Sequence, residues 1–141
     1  MNWLPFAFLT IIFYAFFDFF LKLGAGKINS YLSAVIINLF ALIIAFIYLA
    51  VIKTKNGAVD STRLGIVYSA VAGVLVGLAS VFFTKMFSTG VNLSLAVPVV
   101  RIGMVFLASV LGIIFLKEGF NTRYFLGFVL SLAGLYLIVA K

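Results

Sequence analysis

Five long apolar stretches dominate this sequence, and each is about as long as a helix must be to cross a lipid bilayer. They are Trp3–Leu21, Tyr31–Ile52, Leu64–Thr84, Leu93–Leu116 and Tyr124–Ala140. About 20 apolar residues in a helix cross the bilayer core, because a helix pairs its own backbone groups where there is no water. The sequence shows no alternation typical of barrel strands. We therefore predict an all-α membrane protein with five transmembrane helices, in a single domain over residues 1–141.

The composition excludes most soluble and catalytic classes. The chain is 66% hydrophobic and 9% charged, whereas soluble domains are about 45–50% apolar and about 25% charged. It contains no His and no Cys, so the commonest general base and the commonest ligands of transition metals are missing. We predict no enzyme activity, no cofactor and no metal site. We assign the net charge of +7 to topology and to lipid headgroups rather than to nucleic acid.

The loop cations are nearly balanced between the two sides of the predicted membrane. The side of the N-terminus carries five and the opposite side four: Lys53, Lys55, Arg63, Lys117 and Arg123 against Lys22, Lys27, Lys85 and Lys141. Lys and Arg in short loops favour the cytoplasmic side, so a difference of one gives little bias in orientation. We favour dual topology, in which the chain inserts both ways and pairs as an antiparallel homodimer. A fixed orientation is the alternative.

Arg101 is the most deeply placed charge of the predicted spans, eight residues past Leu93. A charge at such depth costs about 3 kcal/mol or more unless it is paired or hydrated, and it generally faces a cavity or the bundle interior. Pro98 removes a backbone donor one turn earlier and predicts a bend, as in the interrupted helices beside transporter sites. We predict that Arg101 binds a solute and that Pro98 acts as a hinge. A structural ion pair or snorkelling is the alternative for Arg101.

Asp18 is the one carboxylate within a span, and it shares a helix face with Tyr14. Its titratable group predicts proton or cation coupling; an i,i+4 pair with Lys22, worth about 0.2–0.5 kcal/mol, is the alternative. Together with polar residues of the other spans, the predicted substrate-binding set is Arg101, Asn38, Tyr14, Ser80 and Ser94. Small residues at about four-residue spacing predict helix packing, here at Gly73, Gly77, Gly127, Ser131 and Gly134.

The last fifty residues, Asn92–Lys141, carry a family resemblance. They contain a Pro early in the fourth span, a Glu just after it, a polar turn and a Gly-rich fifth span that reads GFVLSLAGLYL. The corresponding residues are Pro98, Glu118, Gly127 and Gly134. With this pattern the segment closely resembles the end of an EamA-type domain of the drug/metabolite transporter superfamily. The first span is similar to the family's first helix, though more weakly.

The resemblance implies a multi-pass protein of the inner or plasma membrane of a bacterium or archaeon, and it implies export of a metabolite. Full-length members resemble two five-helix halves in opposite orientations, and this chain corresponds to one half. Two antiparallel copies would form a ten-helix inverted-repeat transporter that works by alternating access; a pair with another half-size chain is the alternative. The implied partners are the lipid bilayer, a second copy and a small-molecule solute.

Two other functions stay open at this point, and so does the energy source. A flippase subunit for lipid-linked substrates would need a lateral opening and a site near the headgroups. A non-transporting membrane scaffold would scatter its deep polar groups rather than bring them to one cavity. For a transporter of a metabolite or amphipathic solute, Asp18 suggests proton coupling, and facilitated diffusion is equally compatible with the sequence.

Overall fold

The computed structural model describes residues 3–55, 59–119 and 121–140. Within these ranges the chain forms five α-helices and no β-strand. They are α1 (Leu4–Gly24), α2 (Ser30–Thr54), α3 (Arg63–Ser88), α4 (Leu93–Phe115) and α5 (Thr122–Val139). All five are long and apolar enough to cross a membrane, judged by length and composition. The predicted all-α class and the predicted five helices are therefore confirmed.

Several helices run further than the apolar stretches that predict them. α1 ends at Gly24 and α3 at Ser88, past the predicted ends at Leu21 and Thr84. Lys22 and Lys85 therefore lie in last helical turns rather than in loops. Hydrophobicity marks where the lipid core ends, whereas a helix continues for as long as its backbone groups find partners. A cation in a last turn also faces the negative end of the helix dipole.

Short polar side chains fix the starts of three helices. The Asn29 side chain accepts hydrogen bonds from the backbone of Tyr31 and Leu32 at the start of α2. Thr62 and Asn121 do the same for α3 and α5, with donor–acceptor distances of 3.1 and 2.8 Å. Each cap satisfies a backbone N–H that has no partner within its own helix.

The chain divides into two compact units. The α4–α5 unit comprises Met1–Phe19 and Val91–Lys141, and the α2–α3 unit comprises Phe20–Gly90. In the α4–α5 unit, helix α4 packs on α5, and the rings of Phe106 and Phe128 stack with centroids 5.3 Å apart. In the other unit, α2 packs on α3.

Two turns of the α2–α3 unit depend on glycine. Gly26 and Gly90 have φ angles of 78° and 89°, in the left-handed region that glycine adopts without the penalty of a Cβ. The Lys22 ammonium donates to the carbonyl oxygen of Gly90 at 3.3 Å. This bond connects the last turn of α1 to the turn that follows α3.

The buried set of the described residues is small, and part of it is polar. The α4–α5 unit buries Asp18, Ala96 and Gly112, and the α2–α3 unit buries Leu21, Ala34, Thr84 and Phe87. Most large apolar side chains are exposed, as expected of helices whose solvent is hydrocarbon. Functional polar groups are therefore expected in the interior of each unit.

Candidate functional site

Asp18 of α1 and Arg101 of α4, the two charged residues of the predicted spans, form an ion pair with each other. One guanidinium nitrogen of Arg101, Nη2, donates to both carboxylate oxygens of Asp18, at 3.1 and 3.0 Å. The Asp18 side chain is 6% exposed and that of Arg101 32% exposed. An ion that is buried between apolar helices must be compensated in this way, because desolvation of an unpaired charge is costly.

Tyr14 completes this charged cluster, which consists of Tyr14, Asp18 and Arg101. The guanidinium carbon of Arg101 lies 4.5 Å from the centroid of the Tyr14 ring, within the range of a cation–π interaction. The ring also meets that of Phe17 edge to face, with centroids 6.2 Å apart. The structure thus brings together three residues that the sequence predicted for one site. The ion pair that the sequence left open as the alternative for Arg101 is present.

A second, neutral cluster lies in the α2–α3 unit. The Asn38 amide nitrogen donates to the Ser80 hydroxyl of α3 at 2.7 Å and to the carbonyl of Ala34 at 2.7 Å. The Ser80 hydroxyl donates in turn to the carbonyl of Gly77 at 2.8 Å. Both predicted solute-binding residues therefore donate hydrogen bonds to other protein groups. The side-chain carbonyl oxygen of Asn38 is the group of this pair that can accept a hydrogen bond from a solute.

Thr84 extends the neutral cluster by one helical turn, and the sequence analysis did not assign it to the site. Its hydroxyl is buried and lies 3.1 Å from the carbonyl oxygen of Ser30 on α2 and 2.9 Å from that of Ser80. The i,i+4 spacing of Ser80 and Thr84 was the available signal, since it places both hydroxyls on one helix face.

The two other predicted residues of α4 lie near its start. Pro98 is half-buried, and α4 continues through it from Leu93 to Phe115, so the missing N–H falls within an unbroken helix. Ser94 is exposed in the first turn. The hinge role of Pro98 and the binding role of Ser94 stay predictions.

The glycines predicted for helix packing face open space in the described chain. Apart from the adjacent backbone of the same helix, no atom lies within 4 Å of a Cβ built on Gly73, Gly77, Gly127 or Gly134. Ser131 is exposed and donates to the Gly127 carbonyl of its own helix at 2.9 Å. The helix pairs packed within each unit do not cover these glycines. A close helix contact at them would therefore require another helix surface. Their packing role stays a prediction.

The sequence analysis did not predict a cluster at the end of α4, where Glu118 was named only as part of the family resemblance. The Glu118 carboxyl folds back against Gly112, and the hydroxyls of Ser109 and Tyr124 hydrogen-bond to each other. These residues border a cleft of about 610 Å³ between α4 and α5. Their separation along the chain gave no periodic signal, because a turn outside both helices brings them together.

One comparison with known proteins identifies this chain. The model of the EamA-like transporter family matches residues 1–140. Searches of curated protein sequences and of solved structures give no significant match. The family match covers nearly the whole sequence, and the five membrane-length helices agree with a multi-pass membrane protein. On this evidence, the chain belongs to the EamA-like transporter family.

Proposed function

We propose that the protein exports a small metabolite or amphipathic solute by alternating access, and that the charged cluster is the centre of its binding site. The ion pair between the buried Asp18 and the half-buried Arg101 is the observation that carries this proposal. Buried ion pairs contribute little net stability compared with well-packed apolar residues. Intramembrane charges generally mark substrate or ion pathways. A functional role therefore explains the pair better than a purely structural one.

The geometry supports a defined chemistry for solute binding. Arg101 is the group for an anionic part of the solute, such as a carboxylate, and the Tyr14 ring restricts the position of its guanidinium. Asp18 is the group for a proton or for an amine of the solute. The side chains of Asp18 and Arg101 hydrogen-bond to each other in this structure. A solute would therefore bind by exchange, in which each of its charged groups replaces one partner of the ion pair.

Exchange at Asp18 also provides a route to proton coupling. A proton on Asp18 cancels the charge that a cationic solute group needs, so proton and solute compete for one carboxylate. Competition of this kind drives export when protons enter down their gradient. Facilitated diffusion, the alternative, would require transport that is independent of the proton gradient.

The other predicted residues supply positioning and motion in this proposal. Asn38 offers its side-chain carbonyl oxygen, Ser80 holds Asn38 in place, and Ser94 adds a hydroxyl near the start of α4. Pro98 provides a point at which α4 can bend, because a proline in a helix leaves one carbonyl without its usual partner. The five helices would then act as one transport domain.

A transport assay tests the proposed site directly. The purified chain is reconstituted into proteoliposomes that contain a pH indicator, and a panel of amines, carboxylates and zwitterions is screened for uptake. We expect Arg101→Ala to reduce uptake of carboxylate-bearing solutes about tenfold or more, because a charge-assisted hydrogen bond is lost. We expect Asp18→Asn to abolish proton movement coupled to the solute.

Matched variants remove the same chemical groups outside the membrane spans. Asp60→Asn and Arg63→Ala change exposed residues of the loop before α3 and of its first turn, and both should retain the uptake of the unmodified chain. Uptake that survives both Arg101→Ala and Asp18→Asn would refute the proposed site. Movement of labelled lipids in place of soluble solutes would favour the flippase alternative, and absence of any transport would favour the scaffold.

We propose further that two copies pair as an antiparallel homodimer in the inner or plasma membrane of a bacterium or archaeon. Two oppositely inserted copies of the five-helix chain would reproduce an inverted repeat of ten helices. The near-balance of loop cations and the open small-residue face of α5 support this arrangement. A pair with another half-size chain is the competing assembly.

A pair of topology reporters fused after Lys141 tests the dual orientation, one active only inside the cell and one only outside. Both should give signal for the unmodified chain. Lys53→Gln with Lys55→Gln removes two cations from one side, and Lys27→Gln removes one from the other. The two changes should shift the ratio in opposite directions. Signal from one reporter alone would refute the antiparallel homodimer.

A further inference from the structure

The end of α4 holds a carboxylate in an unusual position. α4 ends at Phe115, and the backbone N–H groups of Leu116 and Glu118 both donate to the carbonyl oxygen of Gly112, at 3.1 and 3.2 Å. The chain reverses at Lys117, whose φ of 54° is left-handed. Such a conformation is uncommon for a residue other than glycine. The reversal turns Glu118 back toward the helix that it has just left.

Gly112 provides the space in which the Glu118 carboxyl lies. A Cβ built on Gly112 would sit 2.5 Å from Oε2 and 3.1 Å from Cδ of Glu118. The first distance is shorter than a real Cβ contact, so any larger residue at this position would displace the carboxyl. Gly103, in the same helix, has no atom within 4 Å of its built Cβ. The close contact is therefore specific to the Gly112 position.

The charge and position of this carboxylate favour a cation beside it. The carboxylate lies at the carboxyl end of α4, where the helix dipole is negative and the last carbonyls lack partners in the helix. Across the described part of the chain, no Lys or Arg nitrogen lies within 4 Å of this carboxylate; the ion pair found there joins Asp18 and Arg101. The Glu118 carboxylate is therefore not engaged in an ion pair with any of the described residues.

The carboxylate borders a cleft that is large enough for an organic group. Its volume of about 610 Å³ is that of an open groove rather than an enclosed pocket, which suits part of a larger amphipathic molecule. Apolar side chains, including Leu111 and Phe115, form much of its wall. The Ser109 hydroxyl lies 2.7 Å from the Val105 carbonyl oxygen and hydrogen-bonds to the Tyr124 hydroxyl.

We propose that this cleft binds the headgroup of an aminophospholipid, with the primary ammonium of the lipid against the Glu118 carboxylate. The acyl chains would follow the apolar side chains of α4. Lys117 and Arg123, exposed on either side of the turn, supply positive charge for the phosphate. Carboxylate, cations and apolar wall together match an ammonium, a phosphate and acyl chains.

The position of the cleft supports a lipid rather than a soluble cation or a metal ion. The 23 residues of α4 span about 34 Å at 1.5 Å per residue, which matches a bilayer core of about 30 Å. The end of α4 therefore reaches the headgroup region, where Tyr124 is a typical interfacial residue. A bare metal ion would leave most of the cleft empty, and the described residues contain no cluster of His, Cys, Asp or Glu that could hold one.

Lipid retention measured by native mass spectrometry tests the proposal independently of transport. The purified chain in detergent is offered equal amounts of phosphatidylethanolamine, its mono- and dimethyl derivatives, phosphatidylcholine and phosphatidylglycerol, all with the same acyl chains. We expect about tenfold more bound phosphatidylethanolamine than phosphatidylcholine, the difference that one charge-assisted hydrogen bond provides. Retention should fall stepwise as methyl groups replace N–H donors.

Two variants address the carboxylate and its position separately. Glu118→Gln removes the charge and keeps the size, and Gly112→Ala keeps the charge and displaces the carboxyl. Both should reduce the preference for phosphatidylethanolamine to less than about threefold, whereas Gly103→Ala, the matched change at an open position of α4, should retain it. Gel filtration and circular dichroism are the controls that each variant is folded.

Three outcomes would overturn the proposal. The first is equal retention of all the lipids by the unmodified chain. The second is a preference for phosphatidylethanolamine that survives Glu118→Gln and Gly112→Ala. The third is loss of the preference in Gly103→Ala as well, which would show a general response of α4 rather than a site at Glu118.

Discussion

The two units of the chain place polar groups between apolar helices, and they do so with different chemistry. The α4–α5 unit uses charge: Asp18 is engaged by Arg101, and the guanidinium lies over Tyr14. The α2–α3 unit uses neutral groups: Asn38 donates to Ser80, and Thr84 reaches back to α2. Both clusters are compatible with a hydrocarbon solvent, but only the charged cluster of the α4–α5 unit can change its charge when a proton or an ion binds.

This difference indicates that the α2–α3 unit is suited to hold helices together and that the α4–α5 unit is suited to respond when a proton or an ion binds. Hydrogen bonds between membrane helices average about 0.6 kcal/mol in double-mutant cycles, and their loss leaves no charge behind. Loss of one member of a buried ion pair leaves an uncompensated charge and costs about 3–5 kcal/mol. On the proposed function, the charged cluster would carry the charge-dependent binding and coupling, whereas the neutral cluster would mainly associate helices and offer the Asn38 carbonyl oxygen to the solute.

The largest expected effect comes from separating the buried charges. Asp18→Asn and Arg101→Gln should each lower the free energy of unfolding by about 3–5 kcal/mol, and the double variant should recover more than half of that loss because no charge stays unpaired. Reversible unfolding in mixed micelles, arranged as a double-mutant cycle, measures the coupling. Single variants that each cost less than about 1 kcal/mol, within the range of exposed pairs, would remove the contrast between the two units.

The next effect concerns the aromatic member of the charged cluster. Tyr14→Leu should cost about 1–2 kcal/mol more than Tyr14→Phe, since phenylalanine keeps the ring face over which the guanidinium lies. The added cost should vanish in the Arg101→Gln background. Phe13→Leu, at an exposed neighbouring position, is the control for loss of a ring. Equal effects of the two Tyr14 variants would show that ring and cation do not interact.

The smallest effect is expected in the neutral cluster. Asn38→Ala and Ser80→Ala should show a coupling energy of about 0.6 kcal/mol and no more than about 1.7 kcal/mol. Ser131→Ala, whose hydroxyl bonds to its own helix, should show no coupling to Asn38. A coupling as large as that of the ion pair would mean that the neutral cluster is as critical as the charged one, and the division of roles would fail.

Much of the candidate site could be predicted, because polar residues are rare within apolar stretches. Asp18, Arg101 and Tyr14 stand out by position alone, and so do Asn38 and Ser80. Their partners could not be predicted, since Asp18 and Arg101 are 83 residues apart and the helix order does not fix which faces meet. The predicted packing glycines show the same limit: spacing identifies a small-residue face but not the neighbour that would cover it.

The sequence by itself determined the number and the type of the elements. Apolar stretches of this length can satisfy their backbone groups in lipid only as helices, whatever the neighbours are. Only the tertiary structure decided that the two intramembrane charges neutralise each other and that Asn38 bonds to Ser80. It also decided that Glu118 lies against Gly112 rather than pointing away from α4. The physical reason is that hydrophobicity is read along the chain, whereas pairing depends on distances between residues that the chain keeps far apart.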